Sequence, residues 1–310
     1  GRGFPYYRGD MKRAYEKLND ALLVELEKLL ESGEGLDWQK TWHGGRLPTR
    51  YGTGTPYRAF NSIFLSLRMG AEGWESSTFI TYKAAQAAGG NVRKGEKGST
   101  VEVWRPARSR RKAVAEGAEG EERKPHGASM FMGTHTVFNI DQCDGVQDPW
   151  ATGEEREHSP IEEAEKILAG MKNPPTLTHG EPRCYYSPPE DRVNMARPEL
   201  FETPEAYYAT RFHEEVHGTG HASRLNRDSL TSLTGFGSHE YSKEELVAEF
   251  GAALLCGITG IETRKTRENS LAYLKNWLGR LRKDTSLAVE ASHLAQKAVD
   301  HILGTSFESE

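Results

Sequence analysis

The segment His213-Glu214-Glu215-Val216-His217 constrains this 310-residue chain more than any other part of it. Residues four positions apart in an α-helix lie on the same face, so His213 and His217 can both bind one metal ion. Two neutral imidazoles suit Zn²⁺, and Glu214 follows the first ligand, where it can take a proton from a water molecule at the metal. This H-E-x-x-H pattern predicts a metal-dependent hydrolase, most simply a peptidase.

The motif is meaningful only if it lies on a helix, and the flanking sequence predicts one. Thr203-Pro204-Glu205 is typical of a helix start, with a capping hydroxyl, a first-turn proline and a first-turn acid. Gly218 and Gly220 are typical of a helix end. We therefore place His213 and His217 in the last turns of an amphipathic helix.

A third ligand is expected from a second helix. Ser242 to Glu245 has the S-x-x-E form of a capping box, and Glu245 and Glu249 share one helical face. The pair resembles the gluzincin arrangement, in which the first acid completes the metal site and the second holds a ligand histidine. We assign these roles to Glu245 and Glu249. Two alternatives stay open. The ligand could be another of Glu244, Glu245 and Glu249, or the pair could be a helix-capping glutamate and a solvent-exposed acid with no metal site.

His221 stands four residues after His217, between glycine-rich positions and beyond the expected helix end. The third histidine of metzincins falls six residues after the second, so His221 has the wrong spacing for that class of site. Two roles remain for His221: capping a loop, or facing the site and steadying a substrate carbonyl.

The net charge of −5 hides a strong asymmetry along the chain. Between residues 38 and 112 there are 14 Lys and Arg against 4 Asp and Glu, which is typical of a module that binds a polyanion. No apolar run approaches the roughly 20 residues needed to span a bilayer. The three cysteines form no disulfide framework. We therefore expect a protein of the bacterial cytoplasm that makes no contact with membranes.

The basic region combines arginines and lysines with aromatic residues in Gly/Pro-rich loops. Cationic side chains neutralise phosphates and aromatic rings stack on unpaired bases, so this composition suits single-stranded DNA without sequence preference. Buried anchoring is an equally good interpretation of either tryptophan. The predicted DNA-binding residues are Trp38, Trp42, Arg46, Tyr57, Arg58, Asn61, Lys83, Arg93, Lys94 and Lys97.

The predicted fold class is α+β, in two domains. Residues 1–145 form an α+β single-stranded-DNA-binding domain, residues 146–159 a linker, and residues 160–310 a metallopeptidase domain. Within the first domain, residues 105–129 contain too few large apolar side chains for a core and are predicted to be a disordered insertion. A small antiparallel sheet, including a hairpin at 183–195, is expected just before the motif helix, where an edge strand can bind an extended peptide.

Several motifs together resemble the ArdC-type antirestriction family of plasmids and phages. They are Pro56 to Asn61, Phe79 to Tyr82, Gly89 to Gly98, Val137 to Gln142, and Tyr207 to Thr210 leading into His213 to His221 and Arg224 to Arg227. The resemblance implies an N-terminal single-stranded-DNA-binding domain, similar to the start of TraC-type plasmid primases, fused to a zincin-like metallopeptidase domain. The family commonly has Leu where this chain has Glu215, and a large aromatic residue where it has Gly218.

Two hypotheses of different classes follow. In the first, the basic domain holds single-stranded DNA while Glu214 activates water at a Zn²⁺ site, or at a site for Mn²⁺ or another divalent ion, against a protein substrate not yet known. In the second, the protein is a non-catalytic protector of incoming single strands and its metal site is structural or vestigial. The presence of Glu214 favours the first, because a purely structural site needs ligands but no neighbouring base.

Overall fold

The computed structural model describes residues 5–32, 47–106, 130–150, 159–231, 239–261 and 277–305. Several predicted features therefore lie outside the described residues. They are Trp38, Trp42, Arg46, residues 107–129 of the predicted insertion and residues 151–158 of the predicted linker.

The first half of the chain is built on a four-stranded sheet in the order β1-β2-β5-β4. Its strands are β1 (Thr49–Arg50), β2 (Thr78–Ile80), β4 (Ser99–Pro106) and β5 (Met130–Asn139), and β3 (Asn91–Val92) pairs separately with β6 (Cys143–Asp144). The helices are α1 (Pro5–Ser32), α2 (Ala59–Glu72) and α3 (Tyr82–Ala87). The central hairpin is antiparallel, with Ser99 opposite Val137 and Pro106 opposite Met130. The two strands on either side of the predicted insertion are therefore neighbours in the sheet.

Apolar periodicity explains how α1 and α2 pack. The apolar face of α1 is buried at Leu18, Leu22 and Leu26, each exposed by 2% or less. On α2, Phe60 and Phe64 stack in the same core.

The second half places a three-stranded sheet against a group of helices. The elements are α4 (Pro160–Gly170), β7 (Thr176–Thr178), β8 (Tyr185–Ser187), β9 (Arg192–Asn194), α5 (Pro204–Thr219), α6 (Asp228–Thr231), α7 (His239–Thr259) and α8 (Leu287–Leu303). The sheet order is β7-β9-β8, so the predicted hairpin is present and β8 lies at an edge. The sheet is mixed rather than purely antiparallel, because β7 runs parallel to β9.

α7 differs from its predicted start. The capping-box pattern placed the first turn at Ser242, but the helix already includes His239, so Ser242 lies inside the helix and not at its cap. None of the described helices is both long enough and apolar enough to cross a bilayer.

α8 joins the two halves, because it packs against α5 and α7 and also against α2. The side chain of Arg58, just before α2, forms a bidentate ion pair with Asp300 of α8, with nitrogen–oxygen distances of 2.8 and 2.6 Å. The backbone N–H of Ala59 donates to Oε1 of Gln296 at 2.9 Å. The apolar core continues from α1 and α2 into α5, α7 and α8.

α5 and α7 pack closely against each other at a glycine. A Cβ atom placed on Gly251 would lie 2.7 Å from Cγ2 and 2.9 Å from Cγ1 of Val216, which is fully buried between the metal-motif histidines. Val216 is β-branched and adopts few rotamers in a helix, so it has little freedom to move aside. Gly251 therefore sets the distance between the two helices.

We expect Gly251→Ala to lower the free energy of unfolding by about 1–3 kcal/mol through overpacking. Chemical denaturation followed by circular dichroism measures this change. Gly279→Ala is the matched control, since no atom lies within 4 Å of the added methyl group, and it should stabilise the helical segment 277–281 by about 0.5–1 kcal/mol. Equal effects at both positions would contradict the close-approach argument.

Candidate metal centre

The motif helix α5 starts and ends as its sequence predicts. Thr203 is the N-cap, its hydroxyl accepting a hydrogen bond from the Ala206 N–H at 3.2 Å, and Pro204 occupies the first helical position. The helix runs through Gly218 to Thr219, with Gly220 as its C-cap. Phe212 and Val216 are fully buried on the face toward the core. His213 and His217 therefore lie in its last two turns and project toward α7.

Three side chains converge between α5 and α7. Their nearest ligand atoms all lie within 4.8 Å of one another, and His213, His217 and Glu245 form the only such group of three or more potential ligands in the described part of the chain. The two Nε2 atoms of the histidines are 3.2 Å apart. The Glu245 carboxylate reaches both, with Oε2 at 3.7 Å from Nε2 of His213 and Oε1 at 3.6 Å from Nε2 of His217.

This arrangement fits one divalent ion. Two imidazole nitrogens bound at about 2.0–2.1 Å to the same tetrahedral ion are separated by about 3.3 Å. The observed 3.2 Å between the Nε2 atoms agrees with that value. Two nitrogens and one carboxylate leave the fourth position of a tetrahedral ion open, which is the composition of catalytic rather than structural zinc sites.

The outer nitrogens of both histidines face carboxylates on α7. Nδ1 of His213 lies 3.7 Å from Oε1 of Glu249, the residue predicted to hold a ligand histidine. Nδ1 of His217 lies 3.3 Å from Oε1 of Glu244, which the sequence interpretation considered only as an alternative ligand. Such partners orient a ligand imidazole and raise its basicity. Each histidine therefore has its own carboxylate.

Charge in this group shifts two pKa values. Burial by itself lowers the pKa of His213, but the carboxylates of Glu245, Glu249 and Glu214 outweigh it and raise that pKa above its usual value. Burial alone would raise the pKa of Glu244, yet its bonds to His217 and Arg227 hold the pKa at about 2. The group is an electronegative pocket suited to a cation.

Glu214 lies beside the ligands, and its carboxylate has no bonding partner among the described residues. It is 8% exposed, and within the described residues its carboxylate takes part in no hydrogen bond or ion pair. The negative charge of Glu214 helps to raise the pKa of His213. The pKa of the Cys184 thiol, just before β8, is raised mainly by burial, and the charge of Glu214 raises it further. A buried carboxylate left free in this way is available to accept a proton.

Gly218 and Glu215, the two positions that depart from the pattern of the resembled family, lie in closely packed surroundings. A Cβ on Gly218 would lie 3.0 Å from Cγ of Pro175, and Tyr186 is next to the same position, so these side chains fill the space of a large aromatic residue. Glu215 is 2% exposed, with Oε1 3.5 Å from Nε of Arg211 and no hydrogen bond to Oε2. Burial raises the pKa of Glu215, and Arg211 opposes that rise.

His221 lies outside the group of converging ligands. It follows the C-cap, and its backbone N–H donates to the carbonyl of Gly218 at 3.1 Å. Its Nδ1 is 2.8 Å from the hydroxyl of Ser223 and 3.7 Å from Oδ2 of Asp191. Of the two roles left open by the sequence, these contacts favour loop capping.

The seven predicted DNA-binding residues that the structure describes separate into three groups. Tyr57 and Asn61 were expected on the surface, but they are buried, with 7% and 6% exposed. Tyr57 packs edge-on against Phe79, and Asn61 bonds to the backbone of Glu102 through both amide atoms. They support the sheet instead.

The second group is charged but paired within the protein. Arg58 binds Asp300, as described for the contact between the two halves. Arg93 donates to Glu96 at 3.0 Å and to the carbonyl of Asp141 at 2.5 Å. The third group, Lys83, Lys94 and Lys97, is exposed. Two exposed aromatic residues of the same half, Tyr82 and Trp104, were not predicted as DNA contacts.

Comparison with known families gives two matches along the chain. Residues 12–138 match the N-terminal domain of the anti-restriction factor ArdC, and residues 162–294 match the zincin-like metallopeptidase family. The chain is 31% identical to the uncharacterized protein y4eC of Sinorhizobium fredii (strain NBRC 101917 / NGR234), over 92% of this chain and 90% of that protein.

Two DNA primases TraC of Escherichia coli are also similar. Each is 34% identical to this chain, over 90% of it in one case and 94% in the other. The chain spans only 20% of the length of the first primase and 28% of the second. The likeness therefore concerns one part of those proteins.

Two crystal structures of the antirestriction protein ArdC from plasmid R388 share the fold. The metal-free structure has a TM-score of 0.67 and 31% identity, covering 93% of this chain and 96% of that one. The Mn(II)-bound structure has the same TM-score and 32% identity, covering 94% and 97%.

Proposed function

This chain belongs to the ArdC-type antirestriction family, and on that premise we propose that it is a divalent-metal-dependent peptidase that acts beside bound single-stranded DNA. The observation that carries the proposal is the convergence of His213, His217 and Glu245 beside Glu214, whose buried carboxylate has no hydrogen-bond or ion-pair partner among the described residues. A structural metal site requires ligands only, whereas a buried base beside the ligands serves catalysis.

We assign His213, His217 and Glu245 as the residues that hold the ion, with Zn²⁺ and Mn²⁺ as the candidates. The mixed nitrogen and oxygen donors suit both ions. The Mn(II)-bound structure of R388 ArdC supports manganese as an alternative to zinc. When bound, the ion supplies a Lewis acid that polarises a carbonyl group and makes water more acidic.

The remaining chemistry belongs to side chains and backbone of this chain. Glu214 accepts a proton from the attacking water as the water oxygen bonds to the peptide carbonyl carbon. It then returns the proton to the amide nitrogen as the C–N bond breaks. β8, at the sheet edge near α5, holds the substrate as an additional strand through its backbone groups.

The first half of the chain supplies the DNA contacts in this proposal. Lys83, Lys94 and Lys97 are exposed, and Tyr82 and Trp104 present 46% and 42% of their surfaces to solvent. Cations and exposed rings together are the usual components of a surface for unpaired strands. The match to the ArdC N-terminal domain and the likeness to TraC primases support this assignment. A protein that acts on incoming DNA works in the bacterial cytoplasm, and we propose that location for this chain.

The proposal is tested by comparing protein cleavage products in cells that carry wild type or Glu214→Ala. We expect new protein N-termini that appear only with the wild type, together with loss of protection against restriction in the variant. Unchanged protection by Glu214→Ala, combined with its loss after Lys94→Ala and Lys97→Ala, would favour the non-catalytic DNA protector instead.

DNA binding should depend steeply on salt. We expect the double variant Lys94→Ala and Lys97→Ala to reduce the slope of log affinity against log salt by about 0.7 for each phosphate that the protein no longer neutralises. Fluorescence anisotropy with a labelled oligothymidine at several salt concentrations measures the slope. Lys166→Ala, an exposed lysine on α4, is the control and should leave it unchanged. Equal slopes for all three proteins would remove Lys94 and Lys97 from the interface.

A further inference from the structure

We propose that Arg227 and Glu244 act as a positioning pair for His217, fixing which of its nitrogens faces the metal. The inference rests on the proposed metal site and concerns residues that lie behind it. Glu244 is on α7 beside the ligand Glu245, and Arg227 is in the loop that follows the motif helix. Neither side chain is among the converging ligand atoms.

The Glu244 carboxylate is buried and surrounded by donors. Its side chain is 4% exposed and that of Arg227 is 3% exposed. Nε of Arg227 donates to Oε2 at 3.1 Å, and Nη2 of Arg227 donates to Oε1. The hydroxyl of Ser229 donates to Oε2 at 2.6 Å. A guanidinium is always charged in proteins, so the carboxylate that it grips in this bidentate manner is ionised.

This pairing determines the tautomer of His217. An ionised carboxylate only accepts hydrogen bonds, so Nδ1 of His217, 3.3 Å from Oε1 of Glu244, must carry the proton. The lone pair of the neutral ring is then on Nε2, the atom that faces His213 and Glu245. The other tautomer would point an N–H at the metal position. Arg227 and Glu244 thus prepare His217 before any ion arrives.

Arg227 also connects the two helices that carry the ligands. Besides Glu244 on α7, it donates to the Val216 carbonyl at 2.7 Å and to the Thr219 hydroxyl at 2.5 Å, both at the end of α5. A Cβ on Gly220 would lie 2.8 Å from Nη2 of Arg227, so glycine at this C-cap leaves room for the guanidinium. One side chain therefore sets the position of His217 relative to its carboxylate.

Arg224, from the same loop, provides a control that distinguishes positioning of His217 from general support of the fold. Its side chain is fully buried, donates to the Gly218 carbonyl at 2.7 Å and pairs with Asp191 at the β8–β9 turn. It holds the end of α5 as Arg227 does, but it contacts neither ligand histidine. Loss of Arg224 removes a buried guanidinium from this loop while the contact between His217 and Glu244 remains.

The experiment measures Zn²⁺ affinity by competition with a chromophoric chelator, in variants shown to be folded by circular dichroism. We expect Glu244→Gln to weaken Zn²⁺ binding by about 10- to 100-fold, the usual cost of losing a partner behind a ligand. Arg227→Lys should give a smaller loss, because it keeps the charge without the bidentate fork. Glu290→Gln, which removes a carboxylate paired with Lys243 of α7, and Arg224→Met should bind as wild type does.

Glu244→Gln binding Zn²⁺ as tightly as Glu290→Gln would overturn the inference. The tautomer of His217 gives a second test that needs no variant. In a ¹H–¹⁵N correlation spectrum of the metal-free wild type, we expect the single proton of the neutral His217 ring on Nδ1. A proton on Nε2 would also overturn the inference. If wild type bound neither Zn²⁺ nor Mn²⁺, the proposed function would fail, while the spectrum would still decide the role of Glu244.

Discussion

Glu214→Gln is expected to reduce kcat/KM for peptide cleavage by about 10²- to 10⁴-fold, the usual contribution of a general base. Glutamine has nearly the same shape as glutamate but cannot accept a proton at neutral pH. Glu214 is not one of the three converging ligands, so the variant should bind Zn²⁺ with wild-type affinity. The measurement uses the peptide from a fluorogenic library that wild type cleaves fastest, together with a Zn²⁺ titration.

Glu215→Gln is the matched control for this experiment. Glu215 is the next residue and is also a buried carboxylate, but it faces Arg211 rather than the ligands. We expect its activity to stay close to that of the wild type. A Glu214→Gln enzyme as active as Glu215→Gln would show that the proton is accepted elsewhere. Loss of Zn²⁺ binding in Glu214→Gln would assign the residue to the site in a different role.

The convergence of His213 and His217 could be predicted because it depends on one helix alone. Four-residue spacing places two side chains on one face wherever the helix lies, and Thr203 and Pro204 marked its start. Glu245 required a second helix at the right distance. That distance depends on Gly251 next to Val216, which is a feature of packing that a pattern of apolar residues does not reveal.

The role of Glu244 and Arg227 behind His217 was not predicted, for the same reason. Adjacent residues of a helix point in directions about 100° apart, so Glu244 and Glu245 cannot both face the same ion directly. Which of them turns to the ligand atoms depends on how α7 is rotated against α5. Arg227 reaches Glu244 from a loop whose course no periodicity describes.

The DNA-binding surface was predicted least well because composition does not separate exposed from buried aromatic residues. Tyr57 stands among glycines, prolines and arginines, yet its ring is in the core and Arg50 covers it at 4.6 Å. Trp104 lies on β4 and was not among the predicted DNA contacts, but it is 42% exposed. Arg58 was predicted to bind phosphate and is paired with Asp300 in the other half of the chain.

Glu245→Ala is expected to weaken Zn²⁺ binding by more than about 100-fold, beyond the 10- to 100-fold range for partners behind the ligands. Its carboxylate oxygens lie 3.6 and 3.7 Å from the two Nε2 atoms, where an ion binds. Oε1 of Glu249 lies behind His213, 3.7 Å from its Nδ1. Glu249→Ala should therefore fall within the lower range. Isothermal titration calorimetry of both variants ranks them, and the reverse order would mean that the two acids exchange roles.

The thermal stability of Glu245→Ala, measured with and without Zn²⁺, distinguishes metal binding from catalysis. An ion held by His213 and His217 of α5 and by Glu245 of α7 links the two helices, and it stabilises the folded state by about 2.7 kcal/mol when present at 100 times its Kd. Glu245→Ala should lose most of the Zn²⁺-induced rise in Tm, whereas Glu214→Gln should keep it while losing activity. Because the two variants affect different measurements, a metal site that only stabilises the fold and one that cleaves peptides give different results.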